Sequence, residues 1–425
     1  MNLVLPRVPM ACVAALALGC RFSLAAEFIE PVGVVTLPQV IDAALARNPE
    51  LAASAYELRA ADARTLQAGL RLNPELSLGL ENFAGTGAAR SARMLETTLS
   101  LGQVIELGDK RQRRVDVSSG ARDVVGVARQ AQQLDVLADV TRRFIDLINR
   151  QEQLSLASRA TTLAQQTLNA ITVRVQAARS PEAERSRARI ALLRAQIELQ
   201  QSEVALQIAR RALVALWGST TPRFERGDAD LFALETVAPF ETLQDRMEHN
   251  PAFLQFTSGA RLRDAELRLA QAQARPNLTF SLGVRRFEEA GNGALVAGFS
   301  MPLQLYDKNQ GAIREAEVRR EQSTALSLAA TLRAQTTLYG LYQQLIAAGA
   351  RVRSLRDAAL PAAEAAMQQT RTAYDRGRFS YLELAAAQQE SFALQGAAIT
   401  AAADYHLLLT EIERLTGEPL SLPNN

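Results

Sequence analysis

Leu137-Ala138-Asp139-Val140-Thr141-Arg142-Arg143-Phe144-Ile145-Asp146-Leu147 lies in the middle of a stretch, Gly108 to Ala178, that runs 71 residues without a proline. After Gly108, only Gly120 and Gly126 weaken it as a helix. Ala, Leu, Gln, Arg and Glu fill most other positions, and all are good helix formers. Apolar residues return seven apart, at Leu137 and Phe144, at Leu147 and Leu154, and at Leu156, Leu163 and Ala170. That spacing puts them on one stripe and predicts coiled-coil packing. At about 1.5 Å per residue the helix is roughly 100 Å long, a length suited to spanning a distance.

Working outward, the N-terminal side changes period. Leu76, Leu78 and Leu80 alternate with Glu75, Ser77, Gly79 and Glu81, and Leu95, Thr97, Leu99 and Leu101 alternate with Glu96, Thr98 and Ser100. These are strands with one apolar face, predicted near 75–83 and 94–102, around a glycine-containing loop. Each has the length of a tilted membrane-spanning β-strand, although a small soluble hairpin has the same pattern. Ahead of them a helix is predicted from Thr36, with Asn48-Pro49 breaking it, a second helix from Glu50, and Pro74 as its stop. On the other side, Ala178-Arg179-Ser180-Pro181 reads as a tight turn into a helix running from Pro181 to Trp217, ended by Gly218. The helical hairpin is thus placed at 108–217, and 219–239 reads as a linker without a clear period.

The chain then repeats itself. Asn250-Pro251 matches Asn48-Pro49, and Pro276 matches Pro74. Strands are predicted near 277–287 and 294–302, with Leu278, Phe280, Leu282 and Val284 on one face of the first and Leu295, Ala297, Phe299 and Met301 on one face of the second. Asp307-Lys308 resembles Asp109-Lys110, Gly377-Arg378-Phe379-Ser380 resembles the first turn, and Leu415-Thr416-Gly417 matches Leu216-Trp217-Gly218. These five landmarks keep offsets between 198 and 202, which marks a duplication. The first repeat covers 37–218, and the second covers 240–417 with its hairpin at 307–416; 418–425 is a tail. Pro361 inside the second long helix predicts a kink or local adjustment.

Composition narrows the class. The 425 residues carry 47 basic and 45 acidic side chains, a net charge of +2, which gives no electrostatic case for nucleic acid. Residues 1–26 read as an export signal: Arg7, an apolar run from Val8 to Gly19, and small-residue cleavage points after Ala25 or Ala26. Both cysteines, Cys12 and Cys20, fall within it. A cut at Ala25 leaves a mature chain with no disulfide or thiolate chemistry. A second reading stays open, in which Leu16-Ala17-Leu18-Gly19-Cys20 is a lipoprotein box and Cys20 is lipidated. The two histidines, His249 and His406, lack neighbours at metal-ligand spacing, so no enzyme, metal centre or cofactor is expected.

Four strands cannot close a barrel, and an open sheet edge in lipid leaves backbone groups unsatisfied. Other copies of the chain must complete the wall, and the pattern alone allows 8, 12 or 16 strands. The helical hairpins would continue from the strand ends as a tube.

At this point the residues resemble the outer membrane efflux proteins, the TolC-like channels, over about Leu37 to Gly417. Gln103-Val104-Ile105-Glu106-Leu107-Gly108-Asp109-Lys110-Arg111 and Met301-Pro302-Leu303-Gln304-Leu305-Tyr306-Asp307-Lys308-Asn309-Gln310-Gly311 look like the two helix entries of the heavy-metal branch, the cobalt–zinc–cadmium type, with Asp109 where a second glycine is expected. The resemblance implies a mainly α fold with a small β part, four membrane strands per chain, and a homotrimer whose 12-stranded barrel sits in outer membrane lipid and is continued by a periplasmic α-helical barrel. It implies a periplasmic adaptor and a proton-driven inner membrane pump as partners. It also implies a gate at the periplasmic tip, with Tyr374 before the turn glycine Gly377 and Glu383 after it, and Ala386 where a second acidic position is expected. Competing readings are a channel for drugs or secreted proteins, and a periplasmic helical-hairpin adaptor with no barrel.

Overall fold

The computed structural model describes residues 30–87, 92–234 and 237–418. The leader with Cys12 and Cys20, and the tail beyond 418, lie outside these residues. The chain opens with a short strand, β1 (Gly33–Val35), then α1 (Leu37–Arg47) and α2 (Pro49–Ala68). Strands β2 (Glu75–Glu81) and β3 (Glu96–Ile105) follow, then the long α3 (Lys110–Gln176) and α4 (Glu182–Val214). A strand in the linker, β4 (Phe224–Gly227), pairs in parallel with β1. The second half repeats the plan as α5 (Phe240–Glu248), α6 (Pro251–Gln273), β5 (Leu278–Phe287), β6 (Asn292–Ser300), α7 (Gln310–Ser354), α8 (Leu360–Asp375) and α9 (Tyr381–Thr416).

The predicted duplication is therefore visible element by element, with boundaries displaced by a few residues. Pro181 is the cap ahead of α4, which starts at Glu182, one residue after the expected start. The linker was expected to be irregular; β4 is only 4 residues long, too short to show a period. One landmark is realigned. Asp109 and Asn309 are the equivalent caps of α3 and α7, both left-handed at φ 59°, an offset of 200 in place of the Asp109–Asp307 match. Asx side chains tolerate that conformation better than most, and glycine better still. This explains why Asp109 occupies a position where glycine was expected.

Pro361 acts as predicted, but the adjustment precedes it. Residues Leu355–Ala359 form a wide turn of π-helix, with the Leu360 amide donating to Leu355 O. Pro361 has no N–H for the carbonyl four residues back and its ring crowds that carbonyl. Opening the preceding turn gives it room.

The four long strands form one antiparallel sheet in the order β2-β3-β5-β6. Its register aligns the apolar positions in rows: Leu78 faces Leu99, Leu99 faces Val284, and Val284 faces Leu295. A second row joins Leu76, Leu101, Leu282 and Ala297. The opposite face is mostly small or polar, with Ser77, Ser100, Gly283 and Val296 in one row. A Cβ on Gly283 would sit 2.5 Å from Leu99 O, so only glycine permits this approach of β3 and β5. The one cation of that face, Arg285, is neutralised by Glu96 at 2.8 Å and Glu81 at 3.3 Å. The apolar rows are open to the surroundings: Leu295 is 81% exposed and Phe299 80%. No described helix is long and apolar enough to cross a membrane.

The main core lies at a waist where β1, β4, α1 and α5 wrap the middle of α3 and the C-terminal half of α9. Two buried asparagines close the halves there. Asn48 Oδ1 accepts from the amides of Glu50 and Leu51 at the start of α2, and its Nδ2 donates to Leu216 O. Asn250 does the same in the second half, accepting from Ala252 N and donating to the carbonyls of Arg414 and Leu415. One side chain thus satisfies a helix N-terminus and the C-terminus of the last helix in its repeat. Beside it, Glu411 of α9 binds Arg414 and reaches Arg142 of α3. The Arg414 hydrogen bond, aided by both guanidinium charges, holds the Glu411 carboxyl below its ordinary value.

Two outcomes follow. Asn250→Ala should lower folding stability by about 1–3 kcal/mol, the cost of stranding buried carbonyls and amides, seen as a lower thermal midpoint by circular dichroism. Because the Glu411 carboxyl is depressed in the folded chain, its contribution is complete above the unfolded value and is lost as pH falls through the folded value. The acid limb of a stability–pH curve should therefore be shallower in Glu411→Gln than in the parent.

Candidate functional site at the hairpin tips

The two helical hairpins end at the same level, and the predicted site residues sit on the second turn. Both turns close the same way. The Ala178 amide donates to Val175 O and Arg179 to Arg174 O; the Gly377 amide donates to Tyr374 O and Arg378 to Ala373 O. Each turn needs one left-handed residue, Gly377 at φ 70° and Ala178 at φ 56°. Glycine adopts it freely, whereas alanine does so at a cost of roughly 1–2 kcal/mol.

Tyr374 is buried in a small satellite core with Ile171, Ala188, Tyr381 and Leu384, which draws on α3, α4, α8 and α9 together. The Arg174 guanidinium lies 4.5 Å from the Tyr374 ring centroid, and its Nη1 donates to Tyr374 O. This stacking ties the last turn of α3 to the last turn of α8. The phenol approaches Ser180 across the two turns but completes no hydrogen bond. Burial pushes both Tyr374 and Tyr381 above the ordinary phenol range. A carboxylate oxygen of Glu184 and Nε of Arg174 are also buried without partners.

Glu383 is exposed, and its carboxylate accepts from the amide of Ser380 at 2.7 Å and from its hydroxyl at 3.0 Å. It therefore closes a capping box at the start of α9. The structure brings Tyr374 and Gly377 together in one turn and leaves Glu383 on the following helix end. Arg174 was missed by sequence reasoning; its only signal was an arginine one turn before the first tip, which nothing in the pattern separates from other helix-surface arginines. Ala386 is exposed.

The histidines are structural. His249 ends α5 and its Nδ1 lies 2.9 Å from Asp245 O, while His406 Nε2 lies 2.9 Å from Leu231 O and ties the linker to α9. Among the described residues no cluster of His, Cys, Asp or Glu could hold a metal ion.

An open sheet with one apolar face, prolonged by paired helical hairpins whose tips pack together, is the architecture of one subunit of a barrel-and-tube channel. Residues 40–219 match the family model described as outer membrane efflux protein. The chain is 29% identical over 392 residues to the cobalt-zinc-cadmium resistance protein CzcC of Cupriavidus metallidurans, covering 91% of each chain. Among solved structures it resembles CusC, whose report concerns transmembrane channel formation, with a TM-score of 0.77 at 16% identity over 93% of this chain and 99% of that one. It also resembles the outer membrane protein VceC of Vibrio cholerae, with a TM-score of 0.73 at 18% identity over 91% of this chain and 97% of that one. The fold is that of these TolC-like channels.

Ala178→Gly should raise stability by roughly 1 kcal/mol, since it removes a left-handed alanine from an otherwise equivalent turn. The check is the thermal midpoint of the purified protein, and an unchanged or lower value would show that the backbone there is unstrained.

Proposed function

We propose that this protein is the outer membrane exit duct of a tripartite efflux system that exports divalent heavy-metal cations. The observation that carries the reading is the in-register apolar face of the four-stranded sheet, left open at both edges. Such a face belongs in lipid, and sister copies must supply the missing wall. A homotrimer supplies 12 strands, and its hairpins enclose a helical tube reaching across the periplasm. A periplasmic adaptor meets the tip and couples it to a proton-driven pump of the resistance–nodulation–division type in the inner membrane. The duct itself is passive. The heavy-metal cargo is supported by the full-length likeness to a protein named for cobalt, zinc and cadmium resistance. A wide tube can conduct cations without ligating them.

The gate belongs to the same reading. Tyr374, Gly377 and Glu383 form the closing point of the second hairpin, with Arg174 as the cross-hairpin partner of Tyr374. The ring and not the hydroxyl provides closure, because the hydroxyl makes no bond. Glu383 holds the start of α9 in place.

Fractionated cells should show the protein in outer membranes as a heat-sensitive trimer. Recovery in the soluble periplasm alone would remove the channel. Deletion should lower tolerance to zinc, cobalt or cadmium; unchanged metal tolerance with raised detergent or drug sensitivity would transfer the cargo to that class. In planar bilayers, Tyr374→Ala should raise closed-state conductance while Tyr374→Phe leaves it near the parent value. Equal behaviour of the two variants would refute the gate.

A further inference from the structure

Charge is distributed unevenly along the chain. The stretches 171–190 and 370–389, which flank the two turns, hold 8 arginines and no lysine against 4 carboxylates, a surplus of +4. The whole chain sums to +2, so the other 385 residues (425 − 40) sum to −2. The two turns lie side by side, because Arg174 stacks on Tyr374 and both hairpins share the satellite core. The surplus is therefore one local patch.

The carboxylates of the patch are largely engaged. Glu182 pairs with Arg185, Glu383 caps Ser380, and Glu184 has an oxygen buried near the Tyr374 phenol. By contrast, Arg179, Arg187, Arg189, Arg371, Arg376 and Arg378 are exposed and form no ion pair among the described residues. Arg376 and Arg378 share a shallow notch of about 310 Å³ on the second turn, with Gln368, Gln369 and Thr372 on its wall. Phe379 and Leu382 follow in the chain and are 44% and 62% exposed.

Guanidinium groups match carboxylates through paired hydrogen bonds. Arginine set among exposed aromatic and aliphatic side chains is the composition of a protein interface. In the proposed trimer the surplus is three times +4, or +12, around one entrance. Left bare, that charge turns cations away at close range, over a Debye length of about 8 Å at physiological salt.

We propose that the tip is a docking surface for a carboxylate-bearing face of the periplasmic adaptor, with the Arg376–Arg378 notch taking one of its carboxylates, and that docking cancels the charge that bars cations from the entrance. The inference rests on the reading above that an adaptor meets the tip, and adds the chemistry by which it is recognised.

The test uses the purified full-length protein and a fluorescent oligoglutamate peptide as the carboxylate probe. Anisotropy should report binding at low ionic strength that added salt reverses, and an oligolysine peptide should not bind. Replacing both notch residues, Arg376→Gln with Arg378→Gln, should weaken binding roughly tenfold or more, the worth of a charge-assisted contact. The pair Arg376→Lys with Arg378→Lys, which keeps the charge, should restore part of it. Neither side chain makes a bond in the folded chain, so circular dichroism of these variants should match the parent. In planar bilayers the helical tube cannot cross lipid, so the tip faces the chamber to which the protein was added. There the glutamine variant's reversal potential in a KCl gradient should shift toward potassium. Oligoglutamate binding that is absent from the parent, or equal in the glutamine variant, would overturn the proposal. So would equal displacement by inorganic phosphate at matched ionic strength, which would show a general anion site. Failure to form channels at all would instead count against the duct, so the two failures are distinct.

Discussion

The rest of the structure depends on two unpaired backbone edges. β2 and β6 are the outer strands of the sheet, and each has hydrogen-bond donors and acceptors on one side that no described strand reaches. In water such edges invite aggregation; in lipid each stranded group costs several kcal/mol. The sheet carries its apolar rows across four strands in register, so it is built for lipid and yet is unfinished there. Closure by sister copies resolves both facts at once. The helices show the same incompleteness. Ile190, Leu193, Ile197, Val204 and Ile208 form a second stripe on α4, away from α3, and each is at least half exposed.

The waist makes it possible for one chain to serve two such different environments. A long helix can carry coiled-coil packing at one end and meet a strand at the other only if its middle is fixed. Asn48 and Asn250 fix it by joining the first helix of each strand-bearing arm to the last helix of each hairpin. β4 adds a close contact: a Cβ on Gly227 would lie 2.7 Å from Ile148, so glycine lets the linker strand lie flat on α3.

Much of this was legible from residue patterns, and the reasons are physical. A seven-residue repeat over α3 and a two-residue repeat over Leu76–Leu80 report long, regular elements whose faces see different surroundings. The duplication was legible because Pro, Gly and Asn mark turns whatever the sequence between them. What could not be read was anything too short to repeat its pattern convincingly or dependent on three-dimensional neighbours. β1 and β4 have 3 and 4 residues and show no alternation. The equivalence of Asp109 and Asn309 is a matter of backbone conformation, which the more conspicuous Asp307-Lys308 pair obscured. At the tip, the sequence singled out Tyr374 and Glu383 but could not tell that the ring stacks on Arg174 while the carboxylate caps its own helix.

The two faces of the sheet also bear on how cargo is chosen. The face away from lipid is lined by Ser77, Gly79, Ser100, Gly102, Ser281 and Gly283, and its guanidinium at Arg285 is already matched by two carboxylates. Small side chains leave the bore wide, and a neutralised charge neither traps cations nor repels them strongly. A wall of this kind has little power to distinguish one hydrated ion from another. On the proposed reading, discrimination then falls to whatever loads the tube.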